Sequence, residues 1–296
     1  MSDRMNFGSA FFLACRNGFE CLSEEAQSQM RQSVISHQHT DGLFVGRHDS
    51  GDLYYTFFGL MLSAVTHAKI NLAACKQSIA RIDVSSLDVV HRCVLLRVQR
   101  LLKLLTLPKV MRSTAVKNLN LKADRQERKI IASLATLPAA SYPQSDPQSP
   151  YSQFLRVTLH ADFGVTIPHV DLMRYRLASG LYANLPDDTE YAINATASAM
   201  FLIDKAQRDI TAKALCNLQE LDGSFKAVQQ APTGDLLTTG TATFALNQSH
   251  LQPSSSIKPY LRTCIRDDGL FAATADDPTG DLEYTVYALI ALGGCS

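Results

Sequence analysis

One phrase recurs along this chain, and a recurring phrase limits the fold more than any average property does. It consists of a glycine, one residue, an aromatic, a short polar loop, an aspartate and an apolar run. It reads Gly42-Leu43-Phe44 followed by Asp52 and the run Leu53–Phe58, then Gly180-Leu181-Tyr182 followed by Asp188-Thr189-Glu190-Tyr191. It returns as Gly223-Ser224-Phe225 with Asp235-Leu236-Leu237, and as Gly269-Leu270-Phe271 with Asp281-Leu282-Glu283-Tyr284. The last three glycines are 43 and 46 residues apart, and Gly42 precedes Gly180 by 138, room for three intervals of 46. Two degenerate copies fill that room. One is Ala140-Ser141-Tyr142 with Ser149-Pro150-Tyr151, and the other is Asp88-Val89-Val90-His91 without its glycine. The count is six.

Each copy reads as a helical hairpin. The glycine supplies a turn that a residue with Cβ resists, and the aspartate caps free N–H groups where the next helix begins. Long apolar helices follow, at Tyr54–Val65, Val89–Leu105, Ala192–Ile203 and Tyr284–Leu292. They are apolar on nearly every face, which predicts burial. Segments of mixed polarity, Ser23–Gln38, Lys205–Gln219 and Ser254–Arg266, read as an outer layer. The expectation is an all-α chain: a single six-fold α/α barrel, or toroid, spanning residues 1–296. Residues 1–22 read as an N-terminal extension, about 105–128 as an insertion, and Tyr142–Pro150 as a loop within the third copy.

Composition narrows the function. The 28 basic and 28 acidic residues of the 296 cancel, which argues against nucleic acid as a partner. No run of about 18 apolar residues is present, so no transmembrane helix is expected. Phe7–Cys15 is too short for a secretion signal. The seven cysteines form no CxxC pair, which reads as reduced thiols in a cytoplasmic chain. The segment 97–129 carries ten basic residues against two acidic ones. Arg97, Arg100 and Lys103 read there as a solvated helix face, with a diphosphate site or an acidic partner as the sharper alternative.

The phrases Gln38-x3-Gly42-x-Phe44 and Gln219-x3-Gly223-x-Phe225 resemble the QW-type repeat of prenyltransferase β subunits and triterpene cyclases. The strings at 41–46 and 52–58 are most similar to the prenyltransferase version, and the resemblance covers about residues 23–294. It implies a barrel whose lumen holds a long isoprenoid, with the reactive end near the N-termini of the inner helices. It also leaves room for a partner subunit. Protein prenyltransferases of this type carry an Asp-x-Cys and an Asp-x-x-His for zinc. Here no helix-start aspartate is followed two residues later by cysteine, and only Asp88-x-x-His91 matches the second half. Zinc is therefore not expected, and magnesium stays open. Proton-initiated cyclases carry Asp-x-Asp-Asp-Thr, of which Asp187-Asp188-Thr189 keeps the end. On that resemblance Asp187 would be the proton donor and Asp188 its partner.

Further candidates follow from position. Arg47, His48, His91, Arg92 and Arg156 lie near inner-helix starts, where a diphosphate would need cations. Tyr55, Tyr191 and Tyr284 could line a lumen and stabilise a carbocation through their π faces. Asp52, Asp235, Asp281, Glu190 and Glu283 would ring the mouth, as helix caps or as a cation site. A prenyltransferase-like or cyclase-like enzyme is one reading. A barrel that only binds an apolar ligand or a protein is the other.

Overall fold

The structure is a computed structural model, and it describes residues 6–108, 110–112, 123–137 and 146–294. The phrase at Ala140–Tyr142, much of the insertion near 105–128, the first part of the Tyr142–Pro150 loop and Cys295 lie outside those residues. Twelve α-helices occur among the described residues. In chain order they are α1 (Phe7–Glu20), α2 (Glu24–Ser36), α3 (Leu53–Thr66), α4 (Leu72–Ala80), α5 (Val89–Thr106) and α6 (Arg125–Leu134). Then come α7 (Pro150–Asp162), α8 (Ile193–Met200), α9 (Lys205–Cys216), α10 (Leu236–Gln248), α11 (Lys258–Cys264) and α12 (Leu282–Gly294). The only named strands among the described residues are β1 (Phe44–Val45) and β2 (Gly51–Asp52), paired antiparallel in the first repeat loop. The chain is all-α.

The six apolar helices α3, α5, α7, α8, α10 and α12 each pack against the next in chain order, and α12 packs back against α3. Helices α2, α4, α6 and α9 pack against them. In the fourth copy the expected outer helix is only a short 3₁₀ turn, Met173–Tyr175. The twelfth helix is α1, which the sequence reading set aside as an extension. It packs along α12 and also touches α3 and α7. Gly18 makes that packing possible, because a Cβ there would lie 1.9 Å from the Leu289 carbonyl oxygen.

The repeated phrase has a hydrogen-bonding explanation. Gly42, Gly180, Gly223 and Gly269 all have φ between +78° and +94°, the left-handed region. The turn buries the aromatic two residues on, and its N–H donates to a threonine hydroxyl on the following helix. The pairs are Phe44–Thr56 (3.0 Å), Tyr182–Thr196 (3.0 Å), Phe225–Thr239 (2.9 Å) and Phe271–Thr285 (2.9 Å). Gln38 and Gln219 act alike: each side chain donates to the carbonyl of its own glycine at 2.9 Å. Each also accepts at 2.7 Å from a backbone N–H before the next outer helix, that of Asn71 or Ser255. These contacts tie a turn to its neighbour without burying an unpaired polar group.

The threonines also set the register. Each lies four residues after a helix cap: Asp52, Asp235 and Asp281 in three copies, but Ala192 in the fourth. Asp52, Asp88, Asp235 and Asp281 accept from N–H groups three residues on, at 2.7–3.0 Å, as expected of caps. Asp188 does not. It is exposed and accepts from Leu185 N–H at 3.1 Å inside its own loop, while the cap position of α8 is Ala192, which offers no side-chain cap. The register of the repeat therefore shifts by four residues in copy four.

Candidate functional site

The register turns six sequence positions into layers. Residues six after each cap are Phe58, Val94, Leu155, Ser198, Thr241 and Tyr287, and all six line one internal cavity of about 460 Å³. Such a volume falls within the roughly 300–1,000 Å³ of small-molecule sites. Residues two after the cap are Tyr54, Val90, Tyr151, Asn194 and Leu237, which line it too, and Glu283, which hydrogen-bonds to Tyr54. Nine after the cap, Met61, Arg97, Phe201, Phe244 and Ile290 line the cavity, and Thr158 completes the set by bonding Arg97. The lumen is thus apolar and aromatic-rich, and different chemistry stands at its two ends.

At the helix starts, the Tyr54 hydroxyl donates to Glu283 Oε1 at 2.6 Å. Burial pushes the Glu283 carboxyl up to about 7, with Asp281 and Asp52 adding to the rise and the Tyr54 hydroxyl and Arg47 opposing it. Burial, Tyr287 and Glu283 in turn push the Tyr54 hydroxyl well above the ordinary tyrosine range. Arg47 reaches across from the first repeat loop to bond Asp277 and, at 3.3 Å, Asp281, with its Cζ 5.6 Å from the centre of the Tyr284 ring. Arg47, Asp52, Tyr55, Asp281, Glu283 and Tyr284, six of the residues singled out in the sequence, are gathered at this end.

At the other end, α1 crosses beneath the lumen. The Phe7 ring meets those of Phe154, Phe201 and Phe244 edge-on, with centroids 5.0–5.9 Å apart. The charged side chains lining the cavity, Arg97, Arg100 and Asp162, all lie here. Arg100 is 7% exposed and Asp162 4%. The solvated-face reading therefore holds only for Lys103, which pairs with Asp124 and Glu127. With Arg97 and Arg100 turned inward, the segment 97–129 loses two of the cations it was expected to offer an acidic partner.

The remaining candidates fall elsewhere. Asp187 and Asp188 are exposed and do not line the cavity, so the broken cyclase motif is a surface loop. Glu190 is exposed beside Gln230 and, in the corrected register, is not the counterpart of Glu283. His91 Nδ1 lies 2.8 Å from its own cap, Asp88. Arg92 is buried and donates to the Leu87 carbonyl and the Ser133 hydroxyl, joining α5 to α6. His48 is exposed, while Arg156 and Tyr191 are half-buried outside the cavity lining. Asp235 caps α10.

Sequence reasoning passed over Asp162 and α1, and read Arg97 and Arg100 as a solvated face before a diphosphate site. A signal existed for Arg97: nine residues after Asp88, it stands where other copies carry Met61, Phe201, Phe244 and Ile290. Among the described residues no group of three or more His, Cys, Asp or Glu is placed to hold a metal ion, and no helix is long and apolar enough to cross a membrane. No family model matches the sequence, and no curated protein matches it significantly.

Proposed function

We propose that the six hairpins form an α/α toroid that takes an isoprenoid chain, or a chain of like shape, into its lumen. The observation that carries this reading is the layering itself. Equivalent positions from all six inner helices face one apolar cavity, and the aromatic faces of Tyr54, Phe58, Tyr151 and Tyr287 are available to a flexible hydrocarbon or a developing cation. Closure is supported by the packing of α12 on α3 and by Gly269, whose turn seats against Met30 of α2.

Within that reading the acid is Glu283, in place of Asp187 and Asp188. Its carboxyl holds a proton near neutrality because it is shielded from water, and the Tyr54 hydroxyl links it to the lumen. A cyclase-like proton transfer thus finds more support in the geometry than transfer to a thiol, and protein-thiol chemistry would need a different nucleophile site. The test is direct. The protein is incubated with C10 to C20 prenyl diphosphates and with squalene, binding is read by native mass spectrometry and products by gas chromatography. Bound ligand with new products supports an enzyme, and bound ligand without products supports a carrier. No binding of any of these chains overturns the reading.

A further inference from the structure

The lumen is not uniform round its circumference. In the two layers nearest the helix starts, three helices present aromatic or aliphatic side chains: Tyr54 and Phe58 on α3, Val90 and Val94 on α5, Tyr151 and Leu155 on α7. On α8 the same two positions hold Asn194 and Ser198, and on α10 the deeper one holds Thr241. Asn194 and Ser198 stand four apart, on one face of their helix. Asn184, from the loop that leads into α8, lines the cavity as well. The charged lining residues, Arg97, Arg100 and Asp162, belong to α5 and α7, so the α8–α10 wall is polar without being charged.

These groups keep hydrogen-bonding capacity that the described residues do not take up. The Thr241 hydroxyl donates to Asn194 Oδ1 at 2.8 Å, which orients the amide and leaves its N–H groups without a partner among the described residues. Ser198 is 7% exposed, yet its hydroxyl bonds to none of them. It does not even use the carbonyl one turn back, as the buried hydroxyls of Ser63 and Thr66 do on α3. The Asn184 amide is likewise unbonded. A buried polar group left unmatched costs free energy, and a guest that matches it removes that cost. A pure hydrocarbon cannot do so, and an anion would find no cation on this wall.

We infer that Asn184, Asn194, Ser198 and Thr241 bind an uncharged oxygen of the lumen's guest, a hydroxyl or a carbonyl, so that the guest is an oxygenated chain and neither a hydrocarbon nor a diphosphate. This rests on the lumen reading above and narrows its substrate class. The oxygen then lies in the layers of Tyr54 and Phe58, at the end where Glu283 stands. The tail runs toward Phe201 and Phe244, each three residues further along its chain than Ser198 or Thr241, about 4.5 Å deeper at 1.5 Å per residue. The chain therefore enters tail first.

Farnesol and farnesene share one branched skeleton and differ at the oxygen, so a competition between them separates the polar wall from the apolar lumen. The full-length protein is equilibrated with an equimolar mixture of the two and isolated by gel filtration, and its bound lipid is quantified by gas chromatography. Ser198→Ala deletes one hydroxyl and keeps a good helix former, so its circular dichroism should match the wild type. It should lower the ratio of bound farnesol to bound farnesene about threefold or more while leaving bound farnesene unchanged. Farnesyl diphosphate, added to the wild type at the same concentration, should displace little farnesol. If Ser198→Ala fails to fold, Asn184→Ala on the mouth loop takes its place with the same expected ratio. A ratio equal to that of the wild type, or displacement of farnesol by the diphosphate, overturns the site for an uncharged oxygen and leaves the lumen reading standing. Retention of neither lipid overturns both.

Discussion

The two ends of the lumen handle charge in opposite ways. At the helix starts, Arg47 lies on the surface side and its charge is matched twice, by Asp277 and Asp281, and the carboxyl raised toward neutrality, Glu283, meets the cavity through the Tyr54 hydroxyl. At the α1 end two guanidinium groups line the cavity: Arg97 lies 3.7 Å from Asp162 Oδ2, and Arg100 donates to the Asp162 backbone carbonyl with the charges of Glu127, Asp162 and Asp124 around it. One end stores a proton and the other holds its charges in pairs. The mouth is built from loops, whereas the floor is built from helix interiors and α1.

The floor should therefore be the more fragile end. Gly18→Val places side-chain carbon against the Leu289 carbonyl, a backbone atom that cannot yield without separating α1 from α12. Overpacking commonly costs about 1–3 kcal/mol and more when backbone must move, so a loss of about 4 kcal/mol is expected here. Chemical denaturation would measure it. A variant as stable as the wild type would show that α1 is not integral to the floor.

Removing the floor's carboxylate comes next in size. Asp162→Ala removes the carboxylate from Arg97 and the Gly8 N–H, while Arg100 keeps its bond to the backbone carbonyl, and breaking a buried pair this way costs about 3 kcal/mol. Asp162→Asn should cost less, because its amide oxygen still accepts from Gly8. An Asp162→Ala protein that melts like the wild type would mean the floor charges are already compensated, and the contrast between the ends would fail.

Some of this contrast could be read in the sequence and some could not. The glycine turns and the caps Asp52, Asp88, Asp235 and Asp281 were visible because each follows from local backbone chemistry. The fourth copy misled because Asp188 has the right identity in the wrong register. The threonine bond to Tyr182 N–H shows that Ala192 is the equivalent position, and that bond spans 14 residues. The inward turn of Arg97 and Arg100 was hidden for a different reason. Arginines three apart on an amphipathic helix look solvated unless the opposite face is known to be buried as well, and on α5 it is covered by α4 and α6. The role of α1 depends on contacts with α12, more than 260 residues away in the chain, which no local pattern encodes.

The mouth has its own signature in pH. The Glu283 carboxyl is raised from 4.5 to about 7 in the folded protein, so folding is favoured by proton uptake. The stability linked to this group is fully present below about pH 4.5 and is lost as the pH rises through about 7. Above that it costs about 2–3 kcal/mol. Glu283→Gln keeps an acceptor for Tyr54 but cannot ionise, so it should raise the melting temperature at pH 8 and change it little at pH 4.5. A Glu283→Gln protein whose melting shift is independent of pH would show that the carboxyl is not perturbed.

The smallest effect is the one that most sharpens the assignment of the acid. Asp187→Asn and Asp188→Asn alter exposed side chains, and the one contact at stake, Leu185 N–H to Asp188, lies within a surface loop and survives as an amide acceptor. Each should change stability by less than about 0.5 kcal/mol, the usual range for surface substitutions. On the proposed function, turnover of a polyprene should persist in both variants and disappear in Glu283→Gln, measured in parallel on the same preparations. The reverse pattern, activity lost with Asp187→Asn and kept with Glu283→Gln, would return the proton donor to the surface loop. It would then require that loop to fold over the mouth during the reaction, a movement that would also bring Glu190 and Tyr191 toward the lumen.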